Sequence, residues 1–199
     1  MEKILVFDNY DSFTYNLVHY IRSLGKYSVD VALNDKIGLE EVAFYDGIIL
    51  SPGPGLPSES GLLKPLISRY GSTKRIFGVC LGLQAIAEVF GGKLVNLNTV
   101  YHGIATPVTY RCPGHYLFEG LPQTFDAGRY HSWVVDKNTL PECLNLEATD
   151  ENGLVMSLSH KEYDICGVQF HPESVLTPVG SGILLNWLKR FTPLEQISN

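Results

Sequence analysis

The chain has 199 residues, 45% hydrophobic and 18% charged, a composition typical of a globular protein able to bury a substantial core. Its formal net charge is −6 at pH 7 and no lysine- or arginine-rich cluster is present, which disfavours binding to nucleic acid or to an anionic membrane surface. Neither a signal peptide nor a run of roughly 20 apolar residues that would span a membrane is visible, so we expect one cytoplasmic domain over residues 1–199.

Strands and helices are predicted to alternate through the first half of the chain. Short apolar runs are typical of buried strands, whereas amphipathic runs with a 3.6-residue period are typical of helices. Such alternation favours a parallel, doubly wound sheet. The predicted strands cover residues 4–7, 29–33, 47–50 and 75–79, and the predicted helices cover residues 12–24, 62–70 and 83–90.

Residues 11–14 (DSFT) lead into the first predicted helix and allow two interpretations. A helix N-terminus attracts anions, so one interpretation is a phosphate loop. Asp and Ser are also common N-cap residues, and we favour Asp11 or Ser12 in that role.

A stiff loop, residues 51–55 (SPGPG), follows the strand predicted at residues 47–50. Its prolines restrict the backbone and its glycines permit close approach to a ligand, so that backbone N–H groups can meet a developing oxyanion. A turn without function is the competing interpretation. The loop stays a candidate because open α/β sheets bind ligands at the carboxyl ends of their strands.

A lone cysteine between two glycines lies at residues 78–82 (GVCLG), at the end of an apolar run. This pattern is typical of a nucleophile elbow, in which a strand turns sharply into a helix and presents the side chain at the turn. The N-terminus of the next helix favours the thiolate form of Cys80, and the N–H of Leu81 is the natural second oxyanion donor. A buried structural cysteine is the alternative, and the flanking glycines argue against it.

The pattern changes after Gly92 to short β segments, which favour antiparallel strands. We therefore expect an α/β fold: a single-domain, doubly wound mixed sheet that is largely parallel, with additional antiparallel strands in the second half. A last helix is predicted at residues 180–191, and residues 192–199 are expected to fray. The predicted strands cover residues 94–97, 105–110, 124–126, 132–135, 146–149, 154–159 and 165–170.

The last of these strands ends in His171, Pro172 and Glu173. Side chains alternate along an extended chain, so His171 and Glu173 are predicted to share one side, where the carboxylate can hold one ring nitrogen while the other faces a nucleophile. A cysteine, a base and an orienting carboxylate form a triad of this kind. His102 and His131 are rival bases, although each fits a structural role in a loop.

The other three cysteines are widely spaced and form no C-x-x-C pair, which disfavours a zinc site or a disulfide framework. No metal or cofactor is therefore expected. Cys166 is predicted to lie in the core, and Cys112 and Cys143 in loops near prolines.

Together, residues 51–55, 78–84 and 167–173 (GVQFHPE) resemble the class-I (triad) glutamine amidotransferases. Residues 7–17 (FDNYDSFTYNL) and 129–132 (RYHS) make the chain most similar to the glutaminase subunits of anthranilate synthase and aminodeoxychorismate synthase. The resemblance covers nearly the whole chain and implies the family's flavodoxin-like sheet.

The resemblance also implies a chemistry. Cys80 would attack the carboxamide of glutamine, His171 would move protons, and Glu173 would orient His171. Gly53 and Leu81 would supply the oxyanion N–H groups, and ammonia would pass to a larger chorismate-binding subunit. The residues implied to bind glutamine are Gly53, Pro54, Gly55, Gln84, Ser132 and Trp133.

Three positions depart from the usual family pattern. Leu83 stands where His is common, Trp133 where Leu is frequent, and Ile104 where Lys often follows His-Gly. None is a triad member, so the departures bear on glutamine affinity and partner contacts.

The resemblance leaves the biosynthetic branch open between tryptophan, folate and a subunit that serves both. Two remoter alternatives are a cysteine γ-glutamyl hydrolase and a non-catalytic flavodoxin-like binding module. Hydrolases of that kind lack the segment at residues 9–14, and a binding module would tolerate replacement of Cys80.

Overall fold

The structure, a computed structural model, describes residues 1–191, and the tail expected to fray lies outside the described residues. The alternation predicted for the first half of the chain is confirmed. Its strands are β1 (Lys3–Asp8), β2 (Ser28–Leu33), β3 (Gly47–Leu50) and β4 (Arg75–Val79), and its helices are α1 (Thr14–Ser23), α2 (Leu63–Tyr70) and α3 (Leu81–Val89).

The short strands and the last helix of the second half are confirmed as well. The strands are β5 (Leu94–Asn96), β6 (Ile104–Tyr110), β7 (Thr124–Arg129), β8 (Trp133–Val135), β9 (Leu144–Asp150), β10 (Val155–His160) and β11 (Ile165–Val168), and the helix is α4 (Gly180–Lys189). None of the helices within residues 1–191 has the length and apolar character needed to cross a membrane.

The main sheet has the strand order β2-β1-β3-β4-β11-β10-β9-β6-β7. The strands from β2 to β11 pair in parallel, and those from β11 to β7 pair antiparallel. The predicted mixed, doubly wound α/β fold is therefore confirmed, with β5 and β8 forming a separate antiparallel pair. Because β4 and β11 are parallel neighbours, their carboxyl ends lie side by side.

Apolar residues cover both faces of the sheet, as expected for parallel strands. In β1, Ile4 and Val6 belong to one buried cluster, whereas Leu5 and Phe7 belong to the other. Helices α1 and α4 contribute to the first cluster, and α2 contributes to the second. The alternation of side chains along β1 thus divides one continuous apolar run between two cores.

The start of α1 differs from the prediction, because its N-cap is Phe13 and not Asp11 or Ser12. The Asp11 carboxylate accepts the N–H of Phe13 (2.8 Å), and the Asp8 carboxylate accepts the hydroxyl of Thr14 (2.9 Å). These carboxylates occupy donors that a phosphate would need, which argues against the phosphate-loop interpretation.

Three glycines let β4, β11 and α3 approach one another closely. Gly78 and Gly167 are register partners, and a Cβ on Gly167 would collide with the carbonyl oxygen of Gly78. A Cβ on Gly78 would lie 2.6 Å from the carbonyl carbon of Gly82 in α3. This contact leaves no room for side chains beneath the turn that follows β4.

Replacing Gly167 with alanine is expected to lower the free energy of unfolding by about 1–3 kcal/mol, because backbone must move to admit the methyl group. Urea denaturation of wild type and variant measures the loss. Gly38→Ala is the matched control, since the atoms nearest to a Cβ there belong to the flexible Glu41 side chain, and its cost should stay within about 0.5 kcal/mol. Equal stabilities for the two variants would contradict the close packing of β4 on β11.

Candidate active site

Cys80 occupies the sharp turn between β4 and α3, as the elbow pattern predicts. Its backbone has φ +50° and ψ −101°, a strained conformation for a residue with a side chain. The Cys80 N–H donates to the carbonyl of Val168 in β11 (2.8 Å), which ties the turn to the neighbouring strand. A Cβ on Gly82 would lie 2.6 Å from the carbonyl oxygen of Leu50, so glycine permits the helix to start this close to the sheet.

His171 and Glu173 form a buried pair beyond the end of β11. His171 Nδ1 lies 2.7 Å from Glu173 Oε1, and the two side chains are 3% and 0% exposed. The His171 ring meets the Tyr130 ring edge to face, at 4.8 Å between centroids. Within the described residues, Nε2 of His171 and Oε2 of Glu173 have no hydrogen-bond partner. One ring nitrogen is thus held by a carboxylate, and the other is left for chemistry.

The pKa of His171 is set by opposing influences. Burial acts to lower the pKa, but the hydrogen bond with Glu173 and the negative charges of Cys80 and Glu173 outweigh burial and raise the pKa of His171 to about 10. The imidazole therefore carries its proton across the neutral range and can act as a proton donor.

Cys80 lies between two cavities, each of roughly 370–380 Å³. His171 lines the second cavity together with Cys80, so the structure brings the predicted nucleophile and the predicted base together. The second cavity is otherwise lined by residues 10–13, 52–54, His102 and Tyr130. The first cavity is lined by residues 53–56, Glu59, Cys80, Leu81, Gln84 and residues 130–133, which include every residue predicted to bind substrate.

The loop over residues 51–55 is fixed against the end of β1. Asn9 donates its backbone N–H to Ser51 Oγ (2.8 Å) and its side-chain amide to the Ser51 carbonyl (2.9 Å). A Cβ on Gly53 would lie 2.6 Å from the Asn9 carbonyl oxygen and 2.8 Å from Leu81 Cδ2. Glycine at position 53 therefore lets the loop pack directly against the Asn9 backbone and the Leu81 side chain.

The backbone at Trp133 forms another wall of the first cavity. Its carbonyl oxygen accepts hydrogen bonds from Gln84 Nε2 (2.9 Å) and from the His131 ring at Nδ1 (2.9 Å). Behind this wall, Arg129 donates Nε–H to His131 Nε2 (3.1 Å) and Nη1–H to the Asp150 carboxylate (2.7 Å). The segment is thus anchored to a buried ion pair.

His131 is a weaker candidate for the base than His171. Burial and the neighbouring Arg129 charge lower the pKa of His131 to about 3, so its ring is neutral. Both ring nitrogens are engaged, one accepting from Arg129 and the other donating to Trp133. His102, the second rival, lies edge-on to Tyr130 at 5.9 Å between ring centroids.

Several residues that shape the site were not singled out by sequence reasoning. Asn9 anchors the glycine loop, Tyr130 supports His171, and Gln169 donates its amide to Cys80 Sγ at 3.4 Å. The available signal for Gln169 was an uncharged polar residue between two apolar residues, Val168 and Phe170, in a buried strand. Such a residue needs a hydrogen-bond partner, but its local sequence does not say which.

The remaining cysteines, Leu83 and Ile104 line neither of the two cavities beside Cys80, whereas Trp133, the third departure from the family pattern, lines the first. Cys166 is buried as predicted, Cys143 is partly exposed, and Cys112 is exposed. Leu83 is buried in the core and Ile104 is 48% exposed on β6. Across residues 1–191, no group of three or more His, Cys, Asp or Glu side chains is arranged to hold a metal ion.

Comparison with known proteins gives the site a family context. The family model of the class-I glutamine amidotransferases matches residues 5–191. The chain is 45% identical to anthranilate synthase component 2 of Azospirillum brasilense, over 96% of this chain and 98% of that one. It is 42% identical to aminodeoxychorismate/anthranilate synthase component 2 of Bacillus subtilis, over 94% and 96%. A solved structure from Thermoplasma acidophilum, named as part of a GMP synthase, superposes with a TM-score of 0.84 at 30% identity, over 94% and 92%.

Glu173→Gln is expected to lower the pKa of His171 from about 10, because the variant lacks the carboxylate charge that opposes burial. The folded-state pKa of His171 lies above its unfolded value of about 6.5. Its contribution to stability is therefore complete below about pH 6.5 and is lost as the pH rises through about 10. In the variant this loss should be smaller and occur at lower pH.

Urea unfolding of both proteins between pH 6 and pH 10.5, together with NMR titration of the His171 ring, measures the change. The control is Glu142→Gln, which removes an exposed carboxylate in a loop. Coincident titration curves for His171 in the wild type and Glu173→Gln would contradict the assigned role of Glu173.

Proposed function

The chain belongs to the class-I glutamine amidotransferase family, and on that premise we propose that it is the glutaminase subunit of an anthranilate synthase, working as one domain over residues 1–199. In this proposal it hydrolyses glutamine to glutamate and delivers ammonia to a chorismate-binding partner subunit. The observation that carries the proposal is the elbow cysteine Cys80, which shares a cavity with a histidine that a buried carboxylate holds at 2.7 Å.

The reaction begins with addition of sulfur, because an amide is a poor electrophile. Cys80 Sγ adds to the side-chain carbonyl carbon of glutamine and generates a tetrahedral oxyanion. The N–H groups of Gly53 and Leu81 hold this oxyanion. One such donor is worth roughly 3–4 kcal/mol, or about two to three orders of magnitude in rate. Gly53 and Leu81 line the same cavity as Cys80, which supports this pairing.

Proton transfer then makes nitrogen a leaving group. The His171 imidazolium gives its Nε2 proton to the departing nitrogen, the C–N bond breaks, and ammonia leaves a thioester on Cys80. His171, now neutral, takes a proton from water as the water adds to the thioester, and glutamate and the Cys80 sulfur are released. Glu173 holds the ring in one orientation through both half-reactions.

The first cavity is the proposed glutamine site. Gly53, Pro54 and Gly55 contribute one side, and Gln84, Ser132 and Trp133 contribute the other. Because the Trp133 carbonyl already accepts bonds from Gln84 and His131, the position of this wall is set before substrate arrives. A preset wall reduces the ordering that glutamine binding requires.

The partner and the product are proposed from the relatives. The name of the Azospirillum protein assigns it to anthranilate synthase, which favours tryptophan synthesis for this chain. The name of the Bacillus protein covers both anthranilate and aminodeoxychorismate synthases, which supports folate synthesis or dual use as the second candidate. The remoter alternatives, a γ-glutamyl hydrolase and a non-catalytic module, have no such support.

Cys80→Ser is expected to abolish product formation from glutamine and to leave product formation from ammonium salts intact. The serine hydroxyl is a far weaker nucleophile, whereas the partner subunit uses ammonia from any source. The measurement combines the purified chain with the chorismate-binding subunit of its own organism, and chromatography identifies the ortho- or para-aminated product.

Cys112→Ser, an exchange of the same atoms at an exposed position, should retain both activities. Loss of the ammonium-dependent reaction in Cys80→Ser would contradict the proposed division of labour. A para-aminated product would reassign the chain to the folate branch.

The two buried histidines are expected to fail in different ways. His171→Ala removes the proton carrier and should lower kcat for glutamine by about 10²- to 10⁴-fold. His131→Asn removes an anchor of the Trp133 carbonyl and should mainly raise KM for glutamine, with kcat within about tenfold of wild type. Steady-state glutaminase kinetics in the reconstituted complex distinguish these results, and the reverse pattern would make His131 the base.

A further inference from the structure

Gln169 contacts the sulfur of Cys80 from the end of β11. Its side chain is completely buried, and its Nε2 lies 3.4 Å from Cys80 Sγ. Its Oε1 lies 3.1 Å from Nε2 of Gln84, whose side chain is also buried. A buried amide therefore lies against the reactive atom, and neither the oxyanion hole nor the histidine–glutamate pair accounts for it.

The chemistry of the neighbouring groups determines which end of the Gln169 amide faces the sulfur. The Trp133 carbonyl can only accept, so the Gln84 atom at 2.9 Å from it must be the amide nitrogen. That nitrogen has a second N–H, which points to Gln169 at 3.1 Å and requires an acceptor there. Gln169 therefore presents its oxygen to Gln84 and its NH₂ group to Cys80.

We propose that Gln169 is a positioning residue that holds the Cys80 sulfur with an N–H donor, and that Gln84 fixes the orientation of that donor. A hydrogen bond to the charged form of a group favours that form, so the bond favours the thiolate over the thiol. The inference rests on the proposed function, in which Cys80 is the nucleophile, and it gives Gln84 a second task beside lining the glutamine cavity.

The arrangement also separates two tasks that one histidine would otherwise share. His171 Nε2 has no hydrogen-bond partner within the described residues, so it is available to carry a proton. Gln169 lies two residues earlier and contacts the Cys80 sulfur directly at 3.4 Å, whereas His171 lines a cavity together with Cys80. The amide, which does not titrate, favours the anionic sulfur, and the imidazole moves protons.

The test is the pH dependence of Cys80 alkylation by iodoacetamide, followed by mass spectrometry of the Cys80 peptide. Gln169→Leu lacks the donor and should move the midpoint of the pH–rate profile about one pH unit upward. Gln169→Glu has nearly the same shape but places a carboxylate beside the sulfur, and should move the midpoint further in the same direction. Gln123→Glu, the same chemical change at an exposed site, should leave the midpoint in place.

A second variant tests the orientation step. Gln84→Met does not touch the sulfur, yet it frees the Gln169 amide to turn its oxygen toward Cys80, and should also move the midpoint upward. A purely structural role would reduce the folded fraction or the thermal midpoint without moving the alkylation profile. Unchanged midpoints in Gln169→Glu and Gln84→Met, with both proteins folded by circular dichroism, would overturn the proposal.

Failure of the proposed function gives a different result. Alkylation requires no glutamine, so the profiles report on Gln169 even if the wild-type complex does not hydrolyse glutamine. Absence of wild-type glutaminase activity would overturn the proposed function, whereas unmoved alkylation midpoints beside normal wild-type activity would overturn only the assignment of Gln169. With both proposals correct, Gln169→Leu should lower kcat about tenfold at neutral pH with little change in KM.

Discussion

β4 and β11 pair in parallel although most of the second half of the chain lies between them, and the site depends on this pairing. Val79 lies opposite Val168, so the next residues along each strand, Cys80 and Gln169, are neighbours as well. The Cys80 N–H donates to the Val168 carbonyl and continues the ladder into the turn. A slip of one residue in this register would turn Gln169 and His171 to the opposite face of the sheet.

Close packing keeps the strained turn at Cys80 in place. A residue with a side chain at φ +50° persists only where its surroundings determine the backbone. The backbones of β4, β11 and α3 pack in direct contact around the turn, because the residues at the contacts are Gly78, Gly82 and Gly167. A turn enclosed in this way gives the sulfur a fixed position relative to His171, which is what the proposed reaction, with its two proton transfers, requires.

Local patterns in the sequence predicted the strands, the helices, the sharp turn at Cys80 and the His171–Glu173 pair, because each depends on neighbours in the chain. The elbow needs glycines beside Cys80. The His171–Glu173 pair was predicted from the alternation of an extended chain, but it forms in a turn over residues 171–174, in which the Ser174 N–H donates to the His171 carbonyl. The N-cap of α1 was predicted wrongly because residues 11–13 form a turn of their own, in which the Asp11 carboxylate accepts the N–H of Phe13, before the helix begins at Thr14. The partners of Gln169 were not predictable, because they lie on α3 and in the turn before it. They meet Gln169 only because β11 pairs with β4, and no short stretch of sequence reveals that strand order.

Two buried histidines show how the surroundings of a side chain decide its use. Asp150 neutralises the Arg129 charge without removing its influence on His131, which stays neutral and holds the Trp133 carbonyl. His171 has the opposite neighbour, a carboxylate, and is held protonated. The neutral ring has a fixed donor and a fixed acceptor, so it holds the Trp133 carbonyl in place and cannot exchange a proton without breaking both bonds. The protonated ring has one unpartnered nitrogen beside the sulfur, so its proton can leave while the bond to Glu173 stays in place.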